Sequence, residues 1–355
     1  MPKVKGARDA GAMVVILRID ARAWAESSSC NMITLQTARR YEDLLGETVA
    51  VSPYEYATLF EAKGWFARQR AKARFKLLKA IDPKLARVLH AGERVYYVSK
   101  GSLASTGEQF FAGQAVAYYV NLRALIFTTE RVILMQIGSN LKPRQIVSEL
   151  PYTAIRQVKA TWTGFCEVVL SNGKKHRFSG MPSAERKFLR DFLEGVVSTP
   201  APTTALAKKS DGLVHLCPHC FTGVPGWPLS CDSCGGGFKS ARTAALLSLL
   251  FPGLGDWYLG HRRLAVIEMI GTAFLWLIFI IAPALAAAAG EAPEEIDAGF
   301  TAFSAVIVAG AHLIDAAVTH SFARKGHHPG KAPTAAPATA IAPTAAAAAP
   351  GLTAR

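Results

Sequence analysis

The sequence predicts a multi-domain chain: an antiparallel β domain closed by a C-terminal helix, then a four-cysteine metal knuckle, then an α-helical transmembrane hairpin. Three observations carry this expectation. Short β-rich runs separated by turn residues are followed by one amphipathic stripe that ends near residue 197. Two Cys-x-x-Cys units lie between residues 217 and 234. Two long apolar runs, 264–289 and 298–320, come after them.

Composition sets the frame for each part. Of 355 residues, 50% are hydrophobic and only 19% charged, with mean hydropathy +0.20. So much apolar surface needs a very large core or a lipid phase, which excludes a disordered chain and weakens the case for one ordinary soluble enzyme. A net charge of +14 implies an anionic neighbour, either nucleic acid or an anionic membrane face. Four of the six cysteines fall in Cys-x-x-Cys units, a pattern of metal binding in a reducing compartment rather than of disulfides.

Residues 1–52 are poorly determined. The short apolar stretch at 13–19 contains Arg18 and is followed by Asp20 and Arg22 without a cleavage-site pattern, so no secretory signal is expected. An alternative translation start at Met32 fits the more structured segment after it.

Residues 53–91 read as a basic amphipathic helical region. Ala67, Ala71, Phe75 and Leu78 recur at helical spacing beside Leu77 and Ile81, while Arg68, Lys72, Lys76 and Lys79 fall on the other side. Seven basic residues and no acidic one lie between Lys63 and Lys79, next to Trp65 and Phe66. The four basic residues are candidates for contact with anionic headgroups, each contributing about 1 kcal/mol near the surface. The alternative is a solvated face on a helix packed against its own domain.

Residues 92–197 form the β domain. Val95 to Val98 is β-rich, and the runs 124–127 and 132–137 bracket a Thr128-Thr129-Glu130-Arg131 turn. Asn172-Gly173 between 168–170 and 175–178 supplies the positive-φ positions of a two-residue hairpin. Ser183 can cap a last helix carrying Phe188, Leu189, Phe192, Leu193 and Val196 on one stripe. Cys166 alternates with Val168 and Leu170 and reads as a core residue. With this order, the runs Leu125-Ile126-Phe127-Thr128-Thr129-Glu130-Arg131-Val132-Ile133-Leu134 and Leu150-Pro151-Tyr152-Thr153-Ala154-Ile155 resemble the bacterial pleckstrin-homology-like domains. The resemblance implies a binding or scaffolding module rather than an enzyme. Some eukaryotic relatives bind phosphoinositides through a basic loop, but no dense basic loop lies between the first strands here; Lys174, Lys175, His176 and Arg177 are candidates for an anionic contact, against a merely solvated hairpin tip.

A Pro-, Thr- and Ala-rich linker at 198–212 leads to the knuckle at 213–240. Cys217-Pro218-His219-Cys220 and Cys231-Asp232-Ser233-Cys234 place four thiolates at the spacing of a closed tetrahedral site, the preference of structural Zn²⁺. The segment resembles a zinc ribbon, with Phe221 standing where the first knuckle usually has glycine. His215 and His219 are bystanders once four cysteines are available. A closed site leaves no position for substrate, and so small a module draws its folding free energy from the metal. No Lys or Arg lies within 214–237, which weakens nucleic-acid binding.

Residues 241–325 form the hairpin. Two spans are joined by an acidic connector at 291–297 and flanked by His261-Arg262-Arg263 and Arg324-Lys325. The positive-inside rule puts both ends in the cytoplasm of a multi-pass cell-membrane protein. The apolar stretch at 244–251 is too short to span, so 243–260 is expected to be interfacial or re-entrant. Residues 252–260, Pro-Gly-Leu-Gly-Asp-Trp-Tyr-Leu-Gly, resemble the TM-two family of membrane hairpins, with Tyr258 and Gly260 the best-matching positions. That resemblance implies no catalytic role. Glu268, His312 and Asp315 lie within the spans, either as a proton or ion site or as groups that pair with each other or reach the interface. Residues 326–355, rich in Ala, Pro and Thr, are expected to be a disordered cytoplasmic tail.

No phosphate-cradling glycine loop, nucleophile elbow or His-Glu-x-x-His is present. The expectation is a non-enzymatic, membrane-anchored binding or scaffolding protein. Its partners would be an anionic inner leaflet and an unidentified protein, with no small-molecule substrate. The alternatives are a membrane-tethered nucleic-acid-binding ribbon and a small ion- or proton-handling protein.

Overall fold

The computed structural model describes residues 53–60, 66–161, 164–198, 212–289 and 298–332. The expectations for 1–52, Trp65, the linker at 199–211, the connector at 291–297 and the tail from 333 lie outside them.

Helix α1 (Tyr56–Leu59) and helix α2 (Ala67–Val88) precede the first strand. The apolar stripe read in the sequence forms the inner side of α2, with Ala71, Leu77, Leu78, Ile81 and Leu85 buried. These side chains share one core with Val98, Ile126, Ile133 and Val147 of the sheet. Burying an aliphatic side chain of this size contributes about 1.5–3 kcal/mol, so α2 is held to the sheet firmly. Arg68, Lys72, Lys76 and Lys79 are all exposed.

Strands β1 (Val95–Ser102), β2 (Leu122–Thr128), β3 (Arg131–Ile137) and β4 (Pro143–Pro151) pair antiparallel in that order. A second sheet holds β5 (Ile155–Ala160), β6 (Cys166–Leu170) and β7 (Lys175–Phe178), and helix α5 (Ser183–Ser198) follows. Every residue of β2 and β3 is buried, because α2 covers one side of the sheet and a second core covers the other. That second core joins Phe127, Leu134, Val168, Phe178, Leu189 and Leu193. Cys166 lies in it, and burial pushes its thiol up to about 11. The hairpin forms at Asn172-Gly173 but not as the expected two-residue turn: only Gly173 has positive φ, at +80°. The loop spans 171–173, with the Leu170 amide donating to the Lys174 carbonyl at 2.8 Å and the Lys174 amide to Asn172 Oδ1 at 3.0 Å. At the hairpin tip Lys174, Lys175 and Arg177 are exposed, and Arg177 reaches Glu167 at 2.7 Å.

Between β1 and β2 the chain inserts two short helices that the hydrophobic pattern did not announce, α3 (Thr106–Phe111) and α4 (Gln114–Val120). Their signal was local: Ser105 and Glu108 form a capping box, with the Glu108 amide donating to Ser105 Oγ at 3.2 Å and the Ser105 amide to Glu108 Oε2 at 2.8 Å. The knuckle is joined to the sheet by its own strands. Strand β8 (Val214–Leu216) pairs with β4, and β9 (Gly223–Val224) pairs with β8.

Helix α6 (Ala241–Leu250) turns into α7 (Leu254–Leu259), followed by α8 (Arg262–Trp276). A π-helical turn (Leu277–Ile281) carries α8 on into α9 (Ala282–Ala288), and α10 (Ala298–Ala323) completes the chain of helices. Among the described residues, two helices are long and apolar enough to cross a membrane, Arg262–Leu285 and Gly299–Ala323. Only 11% of each apolar window is buried, the reverse of a soluble core helix. Helix α6, at 10 residues, reaches about 15 Å and falls short of a bilayer core of about 30 Å. The glycines of the Pro-Gly-Leu-Gly turn have steric reasons. Gly253 has φ +92°, and a Cβ on Gly255 would stand 2.2 Å from the Ala244 carbonyl oxygen.

The expected disordered tail is corrected for residues 326–332. Gly326, His327 and His328 are buried, His327 stacks on Phe238 with ring centroids 4.5 Å apart, and Pro329 bridges to Phe238. Composition misled here because these residues build no core of their own. They fill a gap between Ile146, His215, Trp227 and Phe238, which other elements supply.

Candidate metal centre and a carboxylate cluster at the hairpin base

Each Cys-x-x-Cys turn is shaped by a left-handed residue just after its second cysteine. Phe221 has φ +60° and Gly235 φ +69°. The turns close with the Phe221 amide donating to the Cys217 carbonyl at 3.0 Å and the Gly235 amide to the Cys231 carbonyl at 2.8 Å. Four sulfurs result, of Cys217, Cys220, Cys231 and Cys234, all within 4.8 Å of one another. Cys217 Sγ lies 3.7 Å from Cys234 Sγ, and Cys220 Sγ lies 3.7 Å from Cys231 Sγ. A tetrahedral ion with metal–sulfur bonds of about 2.3 Å sets its sulfurs about 3.8 Å apart. The four cysteines therefore fit a metal ion.

The donor set agrees. The His219 amide points at Cys217 Sγ from 3.4 Å. Burial raises the Cys217 thiol above its ordinary value, so a thiolate there needs a cation beside it. His215 and His219 stay outside the four-sulfur group: His215 Nδ1 lies 2.8 Å from Ser148 Oγ, and His219 packs against Gly236. A non-glycine residue in the left-handed region costs about 1–2 kcal/mol. Phe221 returns something for it. Its ring takes the Arg87 guanidinium at 5.2 Å and Lys84 Nζ at 5.7 Å, tying the knuckle to α2.

A second cluster sits where α6, α7, α8 and α10 meet. Carboxylate oxygens of Asp256, Glu268 and Asp315 lie within 4.8 Å of one another. Asp256 Oδ1 is 2.7 Å from His261 Nδ1, and Asp256 Oδ2 accepts from Thr319 Oγ1 at 2.9 Å. Thr319 in turn accepts from Ser248 Oγ at 3.1 Å. Asp315 Oδ2 accepts from the Gly253 amide at 3.0 Å. Glu268 Oε2 is buried with no hydrogen-bond partner. Three carboxylates this close repel unless a proton, a cation or an imidazolium offsets them.

The trio read from the sequence is corrected in one member. Glu268 and Asp315 come together as expected, but Asp256 stands where His312 was placed. His312 Nδ1 donates to the Leu249 carbonyl at 2.8 Å, and its Nε2 accepts from Trp276 Nε1 at 3.2 Å. Both ring nitrogens are thus engaged between helices. Asp256 and His261 were visible only as turn punctuation and basic flank; their five-residue separation around Gly260 was the available signal.

A third polar centre joins the β domain to the hairpin. Glu108 accepts from Ser321 Oγ at 2.5 Å and from Asn121 Nδ2 at 3.3 Å, and pairs with Lys325 Nζ at 3.3 Å. Arg123, buried in β2, donates to the Lys325 carbonyl at 3.3 Å at the end of α10. Burial lowers Arg123 to about 10.

No family model, curated protein or solved structure matches this chain.

Proposed function

We propose that this chain is a membrane-anchored, non-enzymatic binding or scaffolding protein. In this reading a pleckstrin-homology-like β domain and a zinc ribbon are held on the cytoplasmic face of a two-span hairpin. One observation carries it. The β domain, the knuckle and the end of α10 are joined by buried polar contacts and strand pairing, through Glu108–Lys325, Arg123 to the Lys325 carbonyl, and β4 with β8. Modules tied this way present one fixed surface rather than swinging on a tether, which suits a scaffold. The exposed Arg68, Lys72, Lys76 and Lys79 on a firmly packed α2 suit contact with an anionic leaflet. Zn²⁺ is the metal a closed four-thiolate site prefers.

Reporter fusions after Lys325 should read cytoplasm and an insertion within 291–297 should read outside; a cytoplasmic connector overturns the topology. The purified chain should carry one zinc per chain, lost in Cys217→Ser; full metal content in that variant overturns the ribbon.

A second reading, a small proton- or ion-handling membrane protein, is favoured by the buried, unpartnered Glu268 Oε2 facing two more carboxylates.

A further inference from the structure

We propose that the α3–α4 hairpin is a second membrane-contacting element, with Phe110, Phe111 and Tyr119 resting in the interfacial layer of the bilayer beside the two spans. The inference rests on the membrane reading of those spans.

Phe110 is 80% exposed, Phe111 55% and Tyr119 54%. The Phe110 and Phe111 rings meet edge-on at 5.0 Å, so they form one apolar patch rather than scattered side chains. The other side of the same hairpin is fully packed, with Glu108, Ala117, Val120 and Asn121 buried. Two helices with one packed side and one bare aromatic side need a covering phase.

The anchoring of the hairpin says which phase. Ala112, Val116 and Val120 pack in one apolar cluster with Val318, Phe322 and Ala323 of α10 and Ala244 of α6. Glu108 holds Ser321, on the last turn of α10, and Lys325, two residues past its end. Up to Leu313 and Ile314 the outer side of α10 is exposed and apolar; from Val318 onward it is buried against α3, α4 and α6. The aromatic side of the hairpin therefore begins where the span leaves the region that needs lipid.

Trp257 of α7, half exposed with the Arg262 guanidinium 5.8 Å over its ring, belongs to the same junction through Leu259 and Tyr258. Aromatic rings with a polar or cationic neighbour are what the interfacial layer favours, because the ring sits among acyl ends while the polar group meets headgroups. Arg262, Arg263 and Arg324 are exposed and suited to headgroup phosphates. Continuity with the spans and this charge favour a lipid surface over a protein partner.

The test uses the full chain in membranes, with photoreactive benzoylphenylalanine in place of Phe110, of Phe111 or of Phe303, one at a time. The replacement keeps an aromatic ring at an exposed position, so folding is preserved. Irradiation and mass analysis should find phospholipid adducts at 110 and 111 as well as at 303, an exposed position on the second turn of α10. Lipid adducts at 303 with none at 110 and 111 would overturn the inference and leave the spans standing. Adducts of 110 or 111 to a second copy or to another protein would overturn it too. No lipid adduct at 303 would overturn the membrane reading of the spans and this inference with it.

Discussion

Two buried polar centres hold the base of the hairpin, and they follow opposite electrostatic rules. Around Glu108 a single carboxylate is surrounded by donors: Ser321, Asn121, the Ser105 amide and the Lys325 ammonium. Around Asp256 three carboxylates share one imidazole, the Thr319 hydroxyl and the Gly253 amide, with no ammonium or guanidinium among them, and Glu268 Oε2 has no hydrogen-bond partner. The first centre is complete in the protein's own side chains, so it acts as a lock between α3 and α10. The second is incomplete, which leaves it open to a proton or a cation. The difference teaches that burial alone does not assign a role to a charge; the balance of its neighbours does.

Breaking the complete centre should have the largest effect. Glu108→Ala leaves Lys325 without its counter-charge in a buried junction, and losing one partner of such a pair costs about 3–5 kcal/mol. Thermal unfolding of the detergent-solubilised chain measures it. A loss under about 1 kcal/mol would mean the junction is not the lock described here.

Acid probes the space between the two centres. His328 is buried beside His261, Arg123 and Lys239, and burial first, then these basic neighbours, lowers it to about 3. The folded state thus holds the ring neutral, while the unfolded chain protonates near the ordinary value of about 6.5. The unfolded state binds more protons in the window between, so stability is flat above it and falls as pH drops below about 6.5. The slope is up to about 1.4 kcal/mol per pH unit for one such histidine, continuing toward pH 3. His176, lowered to about 4 by burial and by Lys325 and Lys174, acts in the same direction. Melting curves between pH 7 and 5 read this slope, and His328→Gln should flatten it; an unchanged slope would exclude His328 as its source.

The smallest effect is expected at the incomplete centre. Glu268→Gln keeps the volume and removes an acidic group from between two other carboxylates, so stability should hold or rise by up to about 1 kcal/mol. A loss beyond about 2 kcal/mol would show that Glu268 is a paired group after all and would erase the contrast with Glu108.

Much of this chain was legible from local pattern. The stripe of Ala71, Leu78 and Ile81, the Asn172-Gly173 turn and the two Cys-x-x-Cys units depend on neighbours in sequence, where helical period, turn geometry and ligand spacing operate. The α3–α4 hairpin was less visible, because its apolar residues pack on α10 rather than on one another. Only the Ser105–Glu108 capping box announced it. The carboxylate cluster was half visible. Glu268 and Asp315 stood out as charges in apolar runs, whereas Asp256 was hidden in a glycine turn.

The sequence by itself determined the composition of each module: four thiolates at metal-binding spacing, β-rich runs with their turns, and two helices apolar enough to cross a membrane. Tertiary structure alone decided how these meet. It set Asp256 rather than His312 beside Glu268 and Asp315, buried residues 326–328, and placed Glu108 against Lys325. The physical reason is range. Backbone propensity and side-chain period act within a few residues, while the burial and pairing of a charge depend on groups brought close only when separate elements pack.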